Sequence, residues 1–407
     1  MGIERRTVWV MAVACAVSVA NLYYCQPLLA DMGASLGVDA RRIGYLPMWT
    51  QAGTAIGMFA FVPLGDMLPR RRLIVTMCLA IGFAAALMAM APGMGMVNAA
   101  GFAIGLTTIV PHLVLPFAAK LAPSERRGQV VGTVLGGLLL GILLARVVSG
   151  YVGDALGWRA MYWIAAGSMA ALALALRFLL PVDRPDLHLR YRELVASIWR
   201  LARTEPVLRD AAFTGGMLFG AFSTFWTTLV FFIATPPYHF GSRVAGLFGL
   251  VGAAGALIAP RAGRLADRKG PAFAVTVAIL TTLLSWLVLA AGTHLWTLIA
   301  GVVVLDLGVQ AGHVANQTRI YALIPEARSR LNTVYMVSYF LGGAVGSALG
   351  AYGWTRAGWA GVCVAGAAQC VAALAVRLGF SRRHPVGPHG GQPVRIAPAK
   401  LVNSPDA

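Results

Sequence analysis

The sequence predicts an all-α integral membrane protein, with twelve transmembrane helices in two pseudo-symmetric six-helix halves. Three observations predict it. The 407 residues are 58% hydrophobic and only 12% charged, with a mean hydropathy of +0.73, which is more apolar surface than a water-soluble fold can hide. Apolar runs of roughly 17 to 25 residues, enough to cross about 30 Å of hydrocarbon as a helix, recur along the whole chain, and none shows the weak alternation of membrane barrel strands. Finally, landmarks in the first part of the chain return in the second at an almost constant spacing.

The spans begin near Val8, Ile43, Leu73, Val97, Gln129, Ala160, Ala211, Val244, Pro271, Leu295, Thr333 and Ala360. Leu64-Gly65-Asp66 corresponds to Leu265-Ala266-Asp267, His112 to His313, and Gly157-Trp158 to Gly358-Trp359, each 201 residues on; Pro123 and Arg126 correspond to Pro325 and Arg328 at 202. Four correspondences in order imply that a block of six spans was duplicated. The N-terminal half is assigned to residues 1–180, a linker to 181–210, the C-terminal half to 211–380 and a disordered tail, rich in Pro, Gly and basic residues, to 381–407. Within the linker, Tyr191 to Ala202 reads either as an amphipathic helix on an anionic leaflet or as a solvated basic connection. Trp158 and Trp359, close to span ends, read as interface anchors.

A net charge of +18 raises nucleic-acid binding, but its distribution excludes that reading. With both termini in the cytoplasm, 27 of the 33 basic residues fall on the inner side, Arg319 and Arg377 among them, and five outside: Arg41, Arg42, Arg159, Arg243 and Arg356. Such a bias is the positive-inside signature of a multi-pass protein of a bacterial inner membrane. The N-terminus imitates a cleavable signal, but cleavage would leave eleven spans and break the repeat. The five cysteines all lie within spans without metal-ligand spacing, so they read as small apolar packers, and no metal or cofactor is expected. No H-E-x-x-H, G-x-S-x-G or nucleotide-binding loop is present, so the chain does not read as an enzyme.

Two loops carry a family resemblance. Val62 to Arg72 reads VPLGDMLPRRR after span 2, and Gly263 to Gly270 reads GRLADRKG after span 8. Both resemble the G-x-L-A-D-R-x-G-R-R loop of the major facilitator superfamily, at the two places where that family carries it. The second copy keeps Gly263, Leu265, Ala266, Asp267, Arg268 and Gly270, while the first keeps Leu64, Asp66, Arg70 and Arg71. The resemblance implies that Asp66, Arg70, Arg71, Asp267 and Arg268 form a conformational latch, since a carboxylate at a helix N-terminus is stabilised there and guanidinium groups can tie it to the other half. Span 5 has Gly132, Gly141, Ala145, Arg146, Ser149 and Gly150 in the register of a glycine motif found in the drug:proton antiporter branch. Small residues there fit close packing against the opposite half, and Arg146 stands where the motif has proline.

Arg146 is itself a candidate, since a guanidinium inside a span requires a partner or a polar cavity; snorkelling to the outer surface is the alternative. Asp306, Gln310, His313 and Gln317 are spaced 4, 3 and 4 in LDLGVQAGHVANQ, which stacks them on one face of span 10, with Asn316 to one side. Such a stripe cannot face lipid, and the resemblance implies that spans 1, 4, 7 and 10 line a central cavity. Asp306 is the one carboxylate placed well inside a span. A group that gains and loses a proton near the midplane is what proton coupling requires; a structural aspartate, permanently hydrogen-bonded to a neighbouring helix or paired with Arg146, is the alternative. His112 and His313 read as a relay, a binding pair or satisfied packing residues. Asn21, Tyr23, Tyr24 and Gln26 of span 1 offer hydrogen bonds and flat apolar faces to a small organic solute.

The chain is therefore expected to be a monomeric, proton-driven exporter of a small-molecule substrate in the lipid bilayer, working by alternating access. An importer of the same fold and a non-transporting sensor or scaffold are the alternatives.

Overall fold

The computed structural model describes residues 4–183, 191–257, 269–291, 294–324 and 327–383. The N-terminal half contains α1 (Arg5–Ala20), α2 (Cys25–Leu36), α3 (Ala40–Gly44), α4 (Leu46–Phe61), α5 (Arg70–Ala89), α6 (Met94–Thr107), α7 (Val110–Leu121), α8 (Arg127–Leu156) and α9 (Trp158–Leu179). A linker helix α10 (Tyr191–Thr204) leads to α11 (Pro206–Ala234), α12 (Ser242–Leu257), α13 (Pro271–Ala290), α14 (Leu295–Tyr321) and α15 (Arg328–Arg383). Nine of the described helical stretches are long and apolar enough to cross a membrane. The last of them, α15, holds spans 11 and 12 joined at a kink, and the sixteen-residue α4 and α12 supply spans 2 and 8. The six-plus-six arrangement expected from the repeat is present.

Two spans are broken. Span 1 stops at Ala20 and resumes at Cys25, and span 4 stops at Thr107 and resumes at Val110. In each case the break lies at or beside the residue four before a proline, Tyr23 before Pro27 and Thr107 before Pro111. A proline has no N–H to give the carbonyl four residues back and its ring clashes with that carbonyl. The carbonyl of Tyr23 accepts instead from the Gln26 N–H at 3.2 Å, and that of Thr107 from the Ile109 N–H at 2.8 Å. The equivalent positions of the second half are Thr228 and Gly312, so α11 and α14 run unbroken for 29 and 27 residues.

The duplicated Gly-Trp pairs have a backbone cause. Gly157 and Gly358 both take positive φ, +83° and +55°, and each turns the chain between two spans. The tryptophans that follow are packed rather than set as interface anchors. Trp158 is buried with its ring edge-on to Tyr162, and Trp359 stacks on Phe232 while donating its indole N–H to the Leu289 carbonyl at 2.9 Å. The glycine folds each one back onto its own half. Because no neighbouring atom lies within 4 Å of a Cβ built on Gly157, Gly157→Ala tests the backbone alone. It is expected to lower stability by about 1–3 kcal/mol; an unchanged thermal unfolding midpoint would contradict this account.

Within the halves α1 packs on α8, α4 on α6, α5 on α9, α11 on α15 and α13 on α14; between them the main contacts are α4 with α15 and α8 with α12, spans 2·11 and 5·8. These two pairs are equivalent under the repeat, with span 2 matching span 8 and span 5 matching span 11. Gly150 approaches the Ser242 carbonyl and Gly246 so closely that a Cβ has no room, and Gly246 in turn faces the Arg146 carbonyl. Gly141 departs from the expected opposite-half packing: it lies against Ala16 of α1, in its own half, and Gly132 faces open space.

These crossings close the face opposite the termini. At the terminus-bearing end, a cavity of about 870 Å³ opens beside α1 and α8, lined by Arg5, Trp9, Glu125, Arg126 and Gln129 among others. The linker helix lies on this side. It is amphipathic, with Leu194 and Ile198 buried and Trp199 exposed, and Tyr191 donates its hydroxyl to the Ala60 carbonyl at 3.1 Å. The linker is shorter than the 181–210 assigned to it, because Pro206 opens α11 as a first-turn proline. The assigned tail starts inside α15, which runs to Arg383; residues 384–407 lie outside the described residues.

Candidate functional site

The break in span 1 positions the first part of the site. Freed from helical register between Ala20 and Cys25, Tyr23 turns toward the other half. Its ring lies 4.7 Å from the guanidinium carbon of Arg146, and Gln26, in the first turn of α2, accepts from Arg146 Nε at 2.7 Å. From the other half, Trp226 of α11 places its ring 4.1 Å from the same carbon, with Phe222 at 5.8 Å. Arg146 is buried, 4% exposed, so it does not snorkel. Aromatic faces stabilise its charge.

Asp306 completes this site from α14. It is 5% exposed and within electrostatic range of Arg146. The two sit at matching depth: Arg146 is ten residues before Leu156 and Asp306 eleven after Leu295, about 15 and 16 Å along their helices. Span 8 makes the room. A Cβ on Gly252 would lie 3.0 Å from both Asp306 Oδ2 and Trp226 Cζ2, and one on Gly249 would lie 3.1 Å from Arg146 Cβ. Both charged groups keep a buried atom without a hydrogen-bond partner, Asp306 Oδ2 and Arg146 Nη2. The remaining space at the crossing, beside Tyr23, Gln26, Gln51, Phe219, Phe222 and Phe340, is about 10 Å³, room for at most one water.

The rest of the polar stripe on α14 leads toward the terminus-bearing face. His313 Nδ1 lies 3.1 Å from the Tyr335 hydroxyl, and its ring centre is 4.8 Å from that of Tyr339, which stacks on Phe219 at 4.0 Å. His112, its repeat partner in the opposite half, lies within electrostatic range of His313. Tyr339 stands within the same range of Tyr23 and Asp306 and so connects the two clusters. Gln317 donates to Asn332 Oδ1 at 3.5 Å, while Gln310 is half-buried and makes no hydrogen bond among the described residues.

Other expected candidates turn elsewhere. Asn21 donates its amide to the Val17 and Ser18 carbonyls at 2.9 and 3.2 Å, closing the last turn of α1. Tyr24 is buried in the N-terminal half, within electrostatic range of Tyr162. Arg70 Nε donates to the Gly65 carbonyl at 3.0 Å, and Arg71 to the Leu180 carbonyl at 3.2 Å, contacts inside the N-terminal half. Asp66 is described by its backbone only, while Asp267 and Arg268 lie outside the described residues.

Asp306 is not the one carboxylate inside a span. Asp210, in the second turn of α11, is 3% exposed; its Oδ2 meets Arg319 Nη2 at 2.6 Å and Arg377 Nη1 at 3.2 Å. Arg319 also donates to Asn316 Oδ1 at 3.1 Å, and the Asn316 amide to Thr214 at 3.2 Å. Two arginines that read as loop charges are thus buried between spans 7, 10 and 12. Their helices extend past the apolar run, and Asp210 is the partner that lets them stay.

The two halves, with spans 1 and 4 broken, meet at a buried charged centre, and sequence comparison decides the family. A profile of the Major Facilitator Superfamily matches residues 11–291 and again residues 247–404. The chain belongs to that superfamily. The Uncharacterized transporter YgaY of Escherichia coli O157:H7 is 43% identical over 375 residues, 92% of this chain and 95% of that one. The Chloramphenicol resistance protein of Streptomyces lividans is 27% identical over 69% of this chain and 72% of its own. In fold, the crystal structure of the nucleoside transporter NupG matches with a TM-score of 0.72 at 13% identity, covering 93% of this chain and 99% of that one. As a superfamily member the protein is a multi-pass membrane transporter and not an enzyme; the sensor alternative finds no support.

In the sequence Trp226 of span 7 stands out only weakly, beside Thr224 and Thr227, and the other residues that build the centre are missed. Phe219 and Phe222 share one face of α11 with Trp226, at i, i+3 and i+7, and Tyr335 and Tyr339 recur at i and i+4 on α15, spacings that set side chains on one helical stripe. In a span that is apolar all round, nothing in the sequence marks which aromatic stripe faces the partner half.

Proposed function

We propose that this transporter is an antiporter of the drug:proton type that exports a small organic solute from the cytoplasm in exchange for protons, by alternating access. The observation that carries the reading is Asp306: a carboxylate buried at mid-depth where both halves meet, with one oxygen left without a hydrogen-bond partner. Such a group sits where proton and solute can take turns. His313 and His112 continue a polar path toward the terminus-bearing face, and Arg146 fixes the charge opposite Asp306. The excess of Lys and Arg in loops on that face supports cytoplasmic termini in a bacterial inner membrane. The latch formed by Asp66, Arg70, Arg71, Asp267 and Arg268 regulates closure on the same side, and one chain suffices for the pathway. The name of the Streptomyces lividans relative fits export.

The test is a solute screen in everted membrane vesicles with the lumen acidified, reading lumenal pH. A transported solute is expected to release lumenal protons with wild type and not with Asp306→Asn. Equal proton release by both would remove Asp306 from the coupling role. Uptake dependent on an opposite gradient would make the protein an importer.

A further inference from the structure

We propose that the gap between Arg146 and Asp306 recognises a compact zwitterion with an apolar body, of the kind an apolar α-amino acid presents: its carboxylate on Arg146 Nη2 and its ammonium on Asp306 Oδ2. The proposal rests on the reading of this site as the solute site and names the class of solute.

The argument starts from what the pair does not do. Two opposite charges brought into a low-dielectric interior normally form direct hydrogen bonds, because each is strongly destabilised when left unpaired. The Asp210 triad in this same protein does so, at 2.6 and 3.2 Å. Arg146 and Asp306 are as deeply buried, yet among the described residues no direct ion pair joins them, and their orphan atoms, Nη2 and Oδ2, are not offset by such a bond as Asp210 Oδ1 and Arg377 Nε are in the triad. Nor can the guanidinium readily swing across. Its Nε is held by Gln26, and rings of Tyr23 and Trp226 lie against it at 4.7 and 4.1 Å. What remains available is its Nη2 edge. On the other side, Asp306 Oδ2 is 3.0 Å from the point a Gly252 Cβ would occupy, as is Trp226 Cζ2, so the oxygen stands beside the ring that stacks on the arginine.

A ligand that satisfies both orphan atoms needs an acceptor for a guanidinium and a donor for a carboxylate. A monocation answers Asp306 and leaves Arg146 unopposed, and a monoanion does the reverse. A neutral solute compensates neither charge. A zwitterion neutralises both, and only a short spacing of its two groups fits a crossing this narrow. Tyr23 and Phe222 beside the arginine, with Phe219 and Phe340 around the small neighbouring space that must widen as the halves part, favour an apolar remainder. The ammonium and the proton then compete for one carboxylate, so binding of one displaces the other.

The experiment uses the purified full chain in detergent and reads ligand-induced thermal stabilisation as a titration. The probes are phenylalanine, 2-phenylethylamine, which lacks the carboxylate, and 3-phenylpropanoate, which lacks the ammonium, followed by the other apolar α-amino acids. Wild type is expected to bind one of the amino acids roughly thirtyfold more tightly than its amine or acid analogue, the scale of losing a buried charge partner. Arg146→Gln should remove the advantage over the amine, and Asp306→Asn the advantage over the acid. If either variant fails to fold, the double variant Arg146→Gln/Asp306→Asn, which has no unpaired charge, makes the same comparison and should bind amino acid and analogues alike. Binding of the amine as tightly as the amino acid overturns the proposal, as does no stabilisation by any apolar α-amino acid, or a double variant that still prefers the zwitterion. No gradient is involved, so amino-acid binding without proton exchange would refute the antiport reading alone. Proton exchange for a monocation would refute the zwitterion alone.

Discussion

Replacing Asp210 with asparagine is expected to destabilise the protein by about 3–5 kcal/mol, the scale of breaking one partner out of a buried ionic cluster. Asn keeps the shape and removes the charge. Arg319 and Arg377, whose side chains are 6% and 5% exposed, would then face each other across a neutral amide. Their other contacts do not replace the carboxylate: Arg319 donates to Asn316 Oδ1, and Arg377 to the Ala272 carbonyl at 3.3 Å, with the Phe380 ring 6.0 and 5.8 Å from the two guanidinium carbons. The triple variant Asp210→Leu, Arg319→Met, Arg377→Met should recover most of the loss, since an apolar replacement of similar volume carries no desolvation penalty. Thermal unfolding of the purified variants checks both. A single variant within about 0.5 kcal/mol of wild type, the range of an ordinary surface change, would mean that the cluster is not a structural clamp.

The cluster also shows where sequence reading succeeds and where it stops. The duplicated frame was legible because repeats, span lengths and loop charges are one-dimensional properties. Gly157 and Gly358 recur at the predicted offset, and both take the positive φ that glycine tolerates. The inward stripe of Asp306, His313 and Gln317 was legible for a similar reason: a helix converts spacing directly into a face. Pairing is different. Arg319 looked like a loop charge because it follows the apolar run, and only the packing of α11 against α14 and α15 reveals its partner at Asp210. Arg146 and Asp306 were each conspicuous, but their equal depth and the glycines that give them room depend on how spans 5, 8 and 10 cross. The helix breaks were signalled locally by Pro27 and Pro111, and their consequence for Tyr23 was not, because leaving helical register removes the rule that predicts direction.

Cross-linking the closed face is expected to abolish transport completely and reversibly. The contacts that hold that face differ in kind from the Asp210 cluster. Gln51 of α4 donates its amide to Ser347 of α15 at 3.0 Å and accepts from Ser223 of α11 at 3.2 Å, and Ser347 accepts from Thr227 of α11 at 3.0 Å. One glutamine thus joins the two halves through neutral hydrogen bonds, each contributing about 0.5–1.5 kcal/mol net. Among the described residues the direct ion pairs lie inside a half, which helps keep it rigid, and the hydrogen bonds across this face are neutral, which lets the halves separate here on the microsecond to millisecond scale of gating motions. With Gln51→Cys and Ser347→Cys in one chain, a short bifunctional thiol reagent that can be cleaved by reduction should stop solute flux in proportion to the cross-linked fraction, and a reductant should restore it. Each single cysteine should leave flux near normal; Ser347 is as buried as the five native cysteines, so the reagent is added during turnover, when this face opens, and the chain with its native cysteines alone is the control for their reaction. Undiminished flux in fully cross-linked protein would show that this face need not open, and the alternating-access mechanism would fall with it.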